Sequence, residues 1–80
     1  MKIECGMIVK SVAGRDKDRY YLVMKMEKKR VFIADGKVRK LNSLKQKNPL
    51  HLKGTRNIVD ILKYTTDKKI RQLLHRFNYE

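Results

Sequence analysis

The apolar residues of this chain change their spacing once, close to Gly54, and that change decides what the chain can fold into. From residue 7 to about 53 they come in short runs rich in Val, Ile, Tyr and Phe, separated by Gly, Asp or Lys clusters. That is the pattern of short, half-buried strands. Five strands are expected: Met7 to Ala13, Arg19 to Met26, Arg30 to Ala34, Lys37 to Leu41, and a short piece around Leu50 to Lys53. Asp35-Gly36 suits a two-residue hairpin turn between the third and fourth, because glycine accepts positive φ without a Cβ clash. The break from Glu27 to Lys29 would turn the second strand into the third.

Beyond Gly54-Thr55 the apolar residues fall three and four apart, which predicts two helices. Asn57 would cap the first, with Asp60 near its positive end and Ile58, Ile61 and Leu62 on its apolar face. The second begins at Thr66 with Asp67 in its first turn, and Ile70, Leu73, Leu74 and Phe77 form one buried stripe. Its other face carries Lys68, Lys69, Arg71, His75 and Arg76. Eighty residues leave room for one core. The expected fold is therefore a single α+β domain: a small barrel of about five antiparallel strands over residues 1–54, with residues 55–80 as two helices packed on it.

The net charge of +13, from 21 Lys and Arg against 8 Asp and Glu, opposes compact folding and calls for a polyanionic partner. Residues 1–55 hold 15 basic and 5 acidic side chains, and residues 56–80 hold 6 and 3, so the β part carries most of the field. Nucleic acid suits such a chain better than an anionic membrane, since the sequence has neither a long basic amphipathic helix nor a lipidation signal. A transmembrane segment is not expected, because the longest apolar run, Tyr20 to Met24, is only five residues. Cys5 is the only cysteine, so no internal disulfide is possible. Glu4 and Gly6 interrupt the start where a signal peptide needs an apolar stretch. A soluble protein of the reducing cytoplasm is expected.

The run Gly6-Met7-Ile8-Val9-Lys10-Ser11-Val12-Ala13-Gly14-Arg15-Asp16-Lys17 resembles the KOW motif, a pair of strands and their loop that contacts RNA in translation and transcription proteins. Val31 to Leu41 and Leu50-His51-Leu52 extend the resemblance to bacterial KOW-domain RNA-binding proteins related to large-subunit ribosomal protein fourteen of archaea and eukaryotes. It covers residues 6 to about 54. KOW loops usually carry a second glycine where this chain has Asp18. The resemblance implies an SH3-like barrel and a partner that is RNA, ribosomal RNA above all, with the ribosomal large subunit as its setting.

The residues expected to meet RNA fall in two stretches. In the first, Arg15, Lys17 and Arg19 alternate along the glycine-led loop, with Lys10 on the strand before it, and suit successive phosphates. Asp16 and Asp18 in the same loop lower its field. The second is the acid-free run from Lys37 to Lys53, which contains Lys37, Arg39, Lys40, Lys45 and Lys47. Residues 42–49 read as a mobile loop that orders on binding. Tyr20 and Tyr21 alternate faces, so core packing competes with base stacking, and Tyr21 is the candidate for stacking because Tyr20 shares its face with Leu22, Met24 and Met26.

Nothing points to catalysis. Cys5 reads as a small apolar filler, and His51 and His75, 24 residues apart with no cysteine pair, do not make a zinc site. No cofactor is implied. The expected function is non-catalytic RNA binding. The rival is a protein-interaction module of the transcription or translation machinery, since KOW domains also occur in elongation factors and a fold does not settle a function. On this reading the C-terminal helices complete the fold and contribute little to binding.

Overall fold

In the computed structural model, which describes residues 2–79, five strands form one antiparallel sheet and a single long helix packs across it. The strands are β1 (Met7–Ser11), β2 (Tyr20–Glu27), β3 (Arg30–Ala34), β4 (Lys45–Lys47) and β5 (Leu52–Ile58), in the spatial order β4-β3-β2-β1-β5. The helix α1 spans Asp67–Tyr79. Ile8 lies opposite Leu22 on β2, and Leu22 lies opposite Ala34 on β3, so these residues share one face. Lys28 turns β2 into β3 with a φ of 49°, a left-handed conformation that lysine seldom takes.

Both faces of the sheet are covered. On one, Met7, Val9, Tyr21, Val23, Val31, Ile33 and Leu52 form a cluster drawn from four strands. On the other, Ile8, Leu22 and Ala34 meet Ile70 and Leu74 of α1, ringed by Tyr20, Met24, Leu41, Leu44, Leu73 and Phe77 among others. Each fully buried aliphatic side chain here contributes about 1.5 to 3 kcal/mol. The Thr66 hydroxyl accepts from the N–H of Lys69, and Ile70 N donates to the Thr66 carbonyl, so Thr66, expected as the first helical residue, caps the helix instead.

Several expectations give way. Lys37 to Leu41 is not a strand, and Asp35-Gly36 is not a two-residue hairpin turn. Asp35 instead bonds its own loop, and the partner of β3 is β4, a three-residue strand inside the segment expected to be a mobile loop. The helix expected after Asn57 is also absent. β5 runs through Asn57 to Ile58 and so carries the sheet past residue 54. Asp60 then caps a short 3-10 turn, Ile61–Lys63, through Leu62 N at 3.0 Å. Ile58 and Leu62 are exposed, so their helical spacing marks no buried face. Between Met7 and Val9 the β1–β5 register shifts, and the Thr55 hydroxyl fills the gap by donating to the Ile8 carbonyl at 2.6 Å. Cys5 is exposed rather than an apolar filler. Among the described residues no helix is long and apolar enough to cross a membrane.

Candidate nucleic-acid interface

The loop after β3 is wound around one carboxylate. Asp35 is buried, and its Oδ1 accepts from the backbone N–H groups of Lys37 (2.9 Å), Val38 (3.0 Å) and Arg39 (2.8 Å). The Arg39 carbonyl closes the turn by accepting from Asp35 N and Gly36 N. This leaves Lys37 and Lys40 exposed on its outer side. Gly36, at φ 77°, lies against α1, where a Cβ would collide with the Asp67 carbonyl. Two bonds fix the docking: Arg71 Nη1 donates to the Gly36 carbonyl at 2.7 Å, and Leu41 N donates to Asp67 Oδ1 at 2.8 Å.

The other end of α1 is tied to the start of β2. Asn78 Oδ1 accepts from Tyr20 N at 2.8 Å, and Asn78 Nδ2 donates to the Tyr20 carbonyl at 3.3 Å, so one amide side chain takes the place of a neighbouring strand. Tyr79 follows, half exposed. Arg19 Nη2 and Lys37 Nζ both donate to its hydroxyl, at 3.4 and 3.2 Å. Their charges lie 5.4 and 5.5 Å from the ring centre, and the His75 ring lies 5.2 Å away. The hydrogen bond from Arg19, then that from Lys37, holds the Tyr79 phenol below the usual tyrosine range.

Between these two ties runs an open groove of about 870 Å³. Arg19, Lys37 and Lys40 line it from the sheet side, and Lys68, Arg71 and His75 from α1, with Tyr79 as its exposed aromatic surface. Its only acid among the described residues is Asp35, whose carboxylate is occupied by backbone N–H groups. Among the described residues, five Lys and Arg side chains therefore meet along this concave wall, an electrostatic setting that attracts anions.

The structure brings three of the expected residues, Arg19, Lys37 and Lys40, into this groove. Arg15 and Lys17 are exposed on the β1–β2 loop, and Arg39 is half-buried. Lys10 reaches Asp18 at 3.6 Å and lies over the Tyr20 ring at 5.8 Å. Lys45 and Lys47 are not in this groove. They bind Asp16 at 3.1 and 2.8 Å, and Lys47 is buried. Tyr21 is not a stacking platform either, because it points into the core and donates its hydroxyl to Asp16 Oδ2 at 3.3 Å. Burial pushes its phenol up to about 12. The alternation of Tyr20 and Tyr21 leaves neither ring free because both faces of the sheet are covered.

Sequence reasoning missed Lys68, Arg71, His75 and Tyr79 as a set. Their spacing of three and four along α1 places them on one stripe, but the loop that faces them has the residue pattern of a strand. No protein-family model matches the chain, and no curated protein matches it either.

Proposed function

We propose that this is a non-catalytic RNA-binding protein of the translation machinery, built on a KOW-type SH3-like barrel and gripping the RNA backbone through the groove between the Asp35–Leu41 loop and α1. The observation that carries the reading is the meeting of Arg19, Lys37, Lys40, Lys68 and Arg71, from three separate segments, around a concave surface that has no free acid among the described residues. Surface lysines scattered by chance would not be held this way by Asp35, Asp67 and Gly36.

Three features support the SH3-like and KOW assignment. The edge strands β4 and β5 are joined by a 3-10 turn, Pro49–His51, and flank the order β3-β2-β1, as an SH3-like sheet requires. The cluster drawn from β1, β2, β3 and β5 suits a sheet curling toward closure. Asp18, standing where KOW loops carry glycine, has a φ of 72°, the conformation that glycine supplies without strain. RNA is chosen over other polyanions through this resemblance, which also points to the ribosomal large subunit.

The test compares two pairs of charge reversals against a structured RNA. Lys37→Glu with Lys40→Glu alters the groove, while Lys28→Glu with Lys29→Glu alters the β2–β3 turn outside it by the same charge. The groove pair is expected to weaken binding about tenfold more and to flatten the salt dependence by roughly 0.7 to 0.9 log units for each phosphate no longer neutralised. Equal weakening by both pairs would mean diffuse attraction with no site. A wild-type protein that binds no RNA would end the reading.

A further inference from the structure

A track that only neutralises phosphates needs neither a cavity nor an aromatic ring, and this groove has both. Tyr79 is 52% exposed, in the last turn of α1, with no core residue covering it. Two cations from different segments, Arg19 before β2 and Lys37 in the Asp35–Leu41 loop, converge on its single phenol oxygen. That oxygen is a weak acceptor for two full charges, and a phosphate oxygen arriving there would form stronger, charge-assisted bonds. Lys37 is exposed and sits on a flexible stem, so moving it off the ring costs little.

Resting on the RNA-binding reading above, we infer that the groove takes single-stranded RNA, with an unpaired base stacked on the Tyr79 ring and its phosphate held by Arg19 and Lys37. Lys40, Lys68 and Arg71 then meet the neighbouring phosphate. Size agrees with this. An open groove of about 870 Å³ has room for a nucleotide unit laid along it. A duplex keeps its bases stacked inside and presents convex backbone, which would leave the ring uncovered. Stacking is indifferent to base identity, so the groove selects for unpaired strand rather than for a sequence.

The experiment measures fluorescence anisotropy with the full chain, using a labelled oligouridylate and a blunt RNA duplex of the same length at one salt concentration. The single strand is expected to bind tighter. Tyr79→Ala should weaken single-strand binding by about 5- to 100-fold, the value of one stacked base, and duplex binding far less. Tyr79→Phe, which keeps the ring, should weaken it less than Tyr79→Ala. A fluorescent adenine analogue placed in the strand should be quenched by the wild type and not by Tyr79→Ala. Thermal melting should match between the variants and the wild type, since the ring is outside both cores. Duplex binding as tight as single-strand binding, or Tyr79→Ala equal to wild type on the single strand, would overturn this inference and leave RNA binding standing. Binding of neither RNA by the wild type would remove the function itself.

Discussion

Asp16 and Asp18 stand two residues apart in a charged loop and look alike in the sequence, yet they do opposite things. Asp18 stays near the surface, beside Lys10. Asp16 turns inward, where Lys47 (2.8 Å), Ser11 (2.9 Å), Lys45 (3.1 Å) and Tyr21 (3.3 Å) all donate to its carboxylate. Burial works to raise its pKa, but the bonds from Lys47, Ser11 and Lys45 outweigh that and hold it well below the usual carboxylate range. Because the folded value lies below the unfolded one, near 4, the stability is fully present above about pH 4 and drains away as the pH falls further. Asp16→Asn should therefore cost about 2 to 3 kcal/mol at neutral pH, since it leaves the buried Lys47 ammonium without its counter-charge. Its melting temperature should also fall less than that of the wild type between about pH 4 and 2. Parallel acid profiles for the two proteins would assign the acid sensitivity elsewhere. A sequence gives the charge of each loop residue but not its direction, and direction is what turns Lys45, Lys47 and Tyr21 toward Asp16.

At the scale of elements, what was legible followed how much each one depends on its own residues. β1, β2 and β3 and the stripe on α1 carry enough apolar side chains to declare their period, and their expected positions hold within two residues. β4 has only the residues Lys-Gln-Lys, and β5 contains Gly54, Thr55, Arg56 and Asn57, so both are strands because of the neighbours they pair with. The loop from Asp35 to Leu41 fails as a strand because a carboxylate captures three consecutive N–H groups that a ladder would need. Gly36 is where this loop meets α1. Gly36→Ala should destabilise the protein by roughly 1 to 3 kcal/mol, from the left-handed backbone and the collision with Asp67 together. Displacing the loop moves Lys37 and Lys40, so RNA affinity should drop at a temperature where circular dichroism still reports folded protein. Unchanged affinity with reduced stability would separate the loop from the site.

Over the whole molecule, the net charge of +13 announced a polyanion, but not where it would lie, because the groove is made by residues 19, 37, 40, 68 and 71 meeting in space. The groove and the exposed Arg15 and Lys17 can neutralise about five to seven phosphates, which for single-stranded RNA gives a log–log salt slope of roughly −3.5 to −5 at about 0.7 per phosphate. A slope near zero in a titration from low to physiological salt would rule out the electrostatic account. The fastening of α1 at both ends has a consequence in time as well as in space. Asp67 and Arg71 hold one end to the Asp35–Leu41 loop, and Asn78 holds the other to β2, so the helix cannot fray toward either end without breaking the groove. Opening of the helix and loss of the site are thus one cooperative event, and a strand bound as proposed, by bridging the loop and the helix, should slow amide hydrogen exchange throughout α1 and not only at the residues it touches.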